Sequence, residues 1–67
     1  MNHMETKFRV SSRSYTKYNN LKTYVGRVRF YENDRFLFSE STGIHRLTPT
    51  DAKLDAYKIA EDRMDGI

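Results

Sequence analysis

Between Lys7 and Tyr31 the chain carries no Asp or Glu, and over two stretches apolar and basic side chains take turns. A period of two belongs to a strand whose faces meet different surroundings, because successive side chains point to opposite sides. Lys7, Arg9, Ser11 and Arg13 share one side of the first stretch, and Phe8, Val10 and Ser12 share the other. From Leu21 to Tyr31 the same alternation puts Tyr24, Val28 and Phe30 on one side, with Val25, Arg27, Arg29 and Tyr31 opposite. The β-branched and aromatic content of that stretch suits a strand. Gly26 interrupts it and marks a bulge or a close backbone approach. A sheet built from such strands buries one face and leaves the other to water.

The polar segment Ser14 to Asn20 reads as a long hairpin loop, with Asn19 and Asn20 able to take left-handed conformations. A turn at Glu32-Asn33-Asp34 leads into a third strand, Arg35 to about Ser41, in which Phe36 and Phe38 alternate with Arg35, Leu37 and Ser39. Loop length sets the faces, since a one-residue slip inverts a strand. A three-residue loop pairs Tyr31 with Arg35, puts Phe36 and Phe38 in the core, and leaves Arg35 and Leu37 beside Arg27 and Arg29. A two- or four-residue loop buries Leu37 instead and turns both phenylalanines out among the arginines. The first is preferred because it buries more aromatic area, and both leave a basic sheet face.

Thr48-Pro49-Thr50-Asp51 signals a helix start: a Thr cap, Pro at the first helical position and an acid three residues after the cap. The helix is predicted from Pro49 to about Met64 or Asp65, with Gly66 as terminator. At 100° per residue, Ala52, Ala56, Ile59, Ala60 and Met64 form one stripe with Tyr57 at its edge. Asp51, Asp55 and Asp62 are placed on the opposite, solvated side with Leu54. The predicted fold class is α+β: a three-stranded antiparallel sheet packed on one C-terminal helix, as a single domain over 7–65 behind a frayed leader, 1–6.

With 67 residues the chain buries only about 60% of its unfolded surface, too little for a roofed catalytic cleft. There is no Cys, which excludes a disulfide framework, a thiol nucleophile and thiolate metal sites. His3 and His45 have no metal-ligand partner at a recognisable spacing, and Asp51 with Asp55 lies outside any cleft. No glycine-rich phosphate loop or nucleophile elbow is present. No enzyme and no cofactor are expected. The sequence holds no apolar run of membrane-spanning length and no signal-peptide stretch, so a cytoplasmic protein without a membrane partner is expected.

The net charge of +3 conceals a division. Residues 1–30 hold seven basic groups and one acid, or +6; residues 31–67 hold five basic groups and eight acids, or −3. Such asymmetry points to a polyanion partner or a two-faced surface. A basic sheet face attracts phosphates by counterion release, and arginine adds bidentate contacts. The candidate nucleic-acid-binding residues are Lys7, Arg9, Arg13, Lys17, Arg27, Arg29, Tyr31 and Arg35, with Tyr15, Tyr18 and Tyr31 available to stack on unpaired bases. The alternative is an interaction protein or inhibitor that meets a host protein through Asp51, Leu54, Asp55, Tyr57 and Asp62. A monomer and a dimer are both compatible with a core of this size.

Three strands followed by Gly43, Ile44, Leu47, Thr48, Asp51 and Ala52, spaced Gly-Ile-x-x-Leu-Thr-x-x-Asp-Ala, resemble the amino-terminal arm-binding domain of phage and transposon tyrosine recombinases and the plant AP2 domain. The resemblance covers about residues 7 to 64. It implies a small DNA-binding protein of a phage or mobile element whose open sheet face docks in the major groove. Arg9, Arg13, Arg27, Arg29 and Arg35 would then face DNA.

Overall fold

The computed structural model describes residues 5–17 and 19–65. Strands β1 (Thr6–Thr16), β2 (Lys22–Glu32) and β3 (Arg35–Arg46) precede helix α1 (Pro49–Asp65). The strands form one antiparallel sheet in the order β1-β2-β3. The helix packs on one face, so the architecture is the α+β arrangement expected.

The core lies where the apolar phase of the strands meets the alanines of the helix. Val28 and Phe30 from β2 and Ala60 from α1 are buried, with Phe8, Val10 and Ile59 packed against them. Ala52, Ala56 and Ala60 have no exposed surface at all. Side chains this small let the helix approach the strands closely, and Gly26 shows how closely. A Cβ at Gly26 would stand 2.0 Å from the Ala52 carbonyl oxygen and 3.1 Å from the Ala56 Cβ. Gly26 is therefore a point of close approach that leaves no room for a side chain, and its partner on β1, Ser12, continues the ladder without a break.

The helix begins as its cap residues dictate. The Asp51 N–H donates to Thr48 Oγ1 (3.2 Å), satisfying an N–H group that lacks an intrahelical partner, and the Ala52 N–H makes the first helical bond to the Thr48 carbonyl (3.3 Å). Its C-terminal end at Asp65 agrees with the expected length; Gly66 lies outside the described residues.

The hairpin between β2 and β3 departs from the preferred register. Glu32 pairs with Arg35, so the loop is the two residues Asn33 and Asp34, and both have positive φ, 51° and 66°. Two consecutive positive φ values mark a type I′ turn, whose twist matches that of the strands it joins. Tyr31 then faces Phe36, but one step later Phe30 faces Phe38, because Leu37 is an extra residue bulged out of the ladder. The bulge changes the face of everything after it. Phe36 turns to the open side while Phe38 stacks on Phe30 at 4.8 Å between ring centroids. Neither uniform register could give this outcome.

A second irregularity sets three residues of β3, Thr42 to Ile44, against Gly26 alone. Gly43 sits at its centre with φ +69°. The Gly43 N–H donates to Ser41 Oγ and the Ile44 N–H to Thr42 Oγ1, so local hydroxyls replace lost ladder bonds. The strands also run further than predicted: β1 continues to Thr16 and β3 to Arg46, which shortens the first loop to residues 17–21. Asn20 takes the left-handed conformation there, with φ 63°. At the other end Thr6 is already in β1, and Glu5 exchanges hydrogen bonds with Asn33 (3.0 and 3.3 Å), so the leader does not extend to these two residues.

Candidate nucleic-acid interface

The pairing register assembles the open face row by row. Lys7, Tyr31 and Phe36 form the row nearest the type I′ turn. Next come Arg9, Arg29 and Ser39, then Ser11, Arg27 and Ser41. Arg13, Val25 and His45 form the fourth row, and Tyr15 faces Thr23 in the fifth. Four arginines thus occupy three consecutive rows, interleaved with the short side chains of Ser11, Ser39 and Ser41.

At each end of the arginines stands a tyrosine. Arg9 lies over the Tyr31 ring at 5.8 Å, and Arg13 over the Tyr15 ring at 5.7 Å, both within cation–π range. Tyr31 also meets Phe36 edge to face at 6.0 Å. Arg27, Arg29, Tyr31, Phe36 and Ser39 line a shallow open depression, and Arg13, Tyr15, Val25, Arg27 and Ser41 line its continuation. The lower part of the face covers itself. Val25 and Thr23 are buried although they point away from the helix, with long arginine and tyrosine stems lying alongside. His45 closes that end, sharing a 2.8 Å hydrogen bond with the Thr23 hydroxyl through Nδ1 and meeting Tyr15 edge to face at 5.4 Å. It is a strand-end residue with a structural contact.

The charges divide sharply between the two sides. Among the described residues, no carboxylate comes within salt-bridge distance of Arg9, Arg13, Arg27 or Arg29. Lys7 is paired, to Glu5 at 3.5 Å and Asp34 at 3.9 Å, in exposed contacts that contribute little. Lys17 stands just beyond the end of β1, where its backbone closes the loop onto Leu21 and Asn20. The two lysines therefore sit at opposite ends of the arginine rows.

Arg35 does not join this face. With a two-residue loop it pairs with Glu32, two residues along from Phe30, and so shares the side of the sheet that carries the helix. The loop that moved Phe36 into the basic face removed Arg35 from it. Tyr18 and His3 lie outside the described residues.

Asp55 is also displaced from its expected place. It is buried, not solvated, and accepts two hydrogen bonds from Arg46, at 2.7 Å from Nε and 3.0 Å from the second guanidinium nitrogen. The physical reason is helical: Asp55 lies three residues after Ala52 and one before Ala56, on the flank of the packed stripe, and the end of β3 brings Arg46 over it. Those hydrogen bonds hold the Asp55 carboxyl below the usual carboxylate range and raise the Arg46 guanidinium further. A second clamp, Arg63 to Glu40, joins the end of the helix to the middle of β3. Neither pair was foreseen. Arg63 falls four residues after Ile59 and seven after Ala56, so its place in the packed stripe was readable, and Glu40 shares the phase of Phe38. The clamps absorb two acids and two bases of the C-terminal half internally. Asp51, Leu54, Tyr57 and Asp62 remain exposed on α1, with Tyr57 set edge to face against Phe8 at 6.1 Å.

No family model, curated protein or solved structure matches this chain. No helix among the described residues is long and apolar enough to cross a membrane, and no group of three or more His, Asp or Glu among them could hold a metal ion.

Proposed function

We propose that this protein is a small non-enzymatic module that binds nucleic acid through the open face of its sheet. The observation that carries this reading is that, among the described residues, no acid pairs with Arg9, Arg13, Arg27 or Arg29 on one surface. A solvated face normally mixes signs, because adjacent like charges repel across a ladder. Arg9 and Arg29 are direct cross-strand neighbours, a pairing that costs stability and is relieved when an anion lies between them. Arginine suits that anion when it is a phosphate, since its planar fork donates two parallel hydrogen bonds.

Four phosphates neutralised by four arginines set the expected salt dependence. Each contributes about 0.7 to 0.9 to the slope of log K against log salt, so a slope near −3 is expected. The double variant Arg27→Ala, Arg29→Ala halves it to about −1.5 and weakens binding at every salt concentration. Fluorescence anisotropy with labelled oligonucleotides across a salt series measures both. An unchanged slope in the double variant, or no binding at low salt, refutes the proposal.

A further inference from the structure

The open face carries a feature that phosphate binding does not explain. Phe36 is 57% exposed on a sheet face whose adjoining rows carry arginine and serine. The two-residue type I′ turn puts it there by pairing it with Tyr31, and the bulge at Leu37 returns Phe38 to the helix side; a hairpin without the bulge would keep Phe36 and Phe38 on the same side. Its neighbours are Tyr31, set edge to face, and the guanidinium-bearing residues Arg27 and Arg29 that line the same depression. A duplex offers such a ring little, since its bases are stacked on each other and only their edges reach the grooves. An unpaired base offers a full π-face.

We infer that the partner of this face is a single strand, with one unpaired base stacked on Phe36 beside Tyr31 while Arg27 and Arg29 hold the adjoining phosphates. The inference rests on the nucleic-acid reading above and names its ligand class. Its geometry extends along the sheet. From the row of Tyr31 to that of Tyr15 is eight residues of β2, about 27 Å at the usual strand rise, with the four arginines between the two aromatic ends. A backbone laid along the strands meets an aromatic platform at each end and cations throughout, the combination that single-strand binders use.

Charge alone works against this preference, which makes it testable. A duplex packs one charge per about 1.7 Å of axis and a single strand one per about 3.4 Å, so a purely electrostatic face binds the duplex more tightly. The experiment compares a short single strand of DNA, the same sequence in RNA, the DNA duplex, and the DNA strand with abasic sites, all by anisotropy at fixed salt. Tighter binding of either intact single strand than of the duplex and the abasic strand is the expected result. Phe36→Ala and Phe36→Leu each weaken single-strand binding about five- to a hundredfold and leave duplex binding unchanged. Circular dichroism checks that these exposed-site variants stay folded. Because the chain has no Trp, Phe36→Trp supplies a single reporter that stacks, and its emission is quenched by the single strand.

Equal or tighter binding of the duplex, full affinity in Phe36→Leu, or unquenched Phe36→Trp overturns the stacking inference. If Arg27→Ala, Arg29→Ala still weakens binding and halves its salt slope in that case, the phosphate-binding proposal stands without it. Absence of binding in every arm removes both.

Discussion

Gly26→Ala tests the packing that leaves the basic face uncovered. The helix backbone lies against the sheet at this residue, where a Cβ would stand 2.0 Å from the Ala52 carbonyl oxygen, 2.9 Å from its carbon and 3.1 Å from the Ala56 Cβ. Ordinary contact begins near 3.4 Å, so relief requires about 1.4 Å of separation, taken as 3.4 minus 2.0. The obstacle is backbone, not the end of a flexible side chain, so the helix itself must lift. A gap of only ~0.5–1 Å already forfeits a quarter to a half of each dispersion contact, and Ala52, Ala56 and Val28 all lie fully buried around the point of contact. Overpacking of this kind costs about 1–3 kcal/mol, and the backbone obstacle argues for the upper end. Alanine returns about 0.4–1 kcal/mol by restricting the unfolded chain. The net loss of about 2 kcal/mol is roughly half of what so small a core supplies. Equilibrium urea unfolding followed by circular dichroism reads it as a lower midpoint at unchanged slope. Gly43→Ala is the comparison: a Cβ there meets nothing within 4 Å, and only the left-handed φ of +69° opposes it, at about 1 kcal/mol. Gly26→Ala at or above wild-type stability, or less damaging than Gly43→Ala, refutes the account of the helix–sheet contact.

Asp34→Gly stabilises by about 0.5 kcal/mol, because the second position of the type I′ turn needs positive φ and relief of about 1–1.5 kcal/mol of left-handed strain outweighs the ~0.4–1 kcal/mol cost of glycine's freer unfolded chain; thermal melts detect the gain, and a loss contradicts the turn assignment. The clamp between β3 and α1 is acid-sensitive. The Asp55 carboxyl is depressed in the folded protein, chiefly by the hydrogen bonds from Arg46, so its contribution is complete above the ordinary Asp value of about 4. It declines as pH falls below that value and is lost once the folded-state carboxyl is protonated. Asp55→Asn lowers the urea midpoint at neutral pH and flattens this part of the acid limb; an unaltered acid limb in the variant shows that the clamp does not act as described.

The elements that were legible in the sequence are those governed by local pattern. Alternation assigned Phe8, Val10, Val28 and Phe30 to one side and Arg9, Arg13, Arg27 and Arg29 to the other, because burial on one face imposes a strict period of two. Thr48 and Pro49 marked the helix start, and the alanine stripe marked its packed side. What escaped depended on spatial relations. A turn of Asn33 and Asp34 differs from one that includes Glu32 by a single residue, so Phe36 and Arg35 exchanged faces relative to the preferred reading, and the bulge at Leu37 then restored Phe38 to the helix side. Asp55 looked solvated because its partner, Arg46, is brought over it only by the extension of β3. The face of the candidate site was thus readable from β1 and β2, while the aromatic that distinguishes its ligand came from β3.

The central claim is that the open face of the sheet, not the outer face of the helix, is the binding surface. Heteronuclear spectra recorded while an unlabelled oligonucleotide is added at low salt test it most directly, because the Nε–Hε signals of Arg9, Arg13, Arg27 and Arg29 report their own contacts. Those signals and the amides of β1 and β2 are expected to shift together, with the exposed residues Asp51, Leu54 and Asp62 of α1 unmoved. Shifts concentrated on α1, or spectra unchanged by the oligonucleotide, contradict the account.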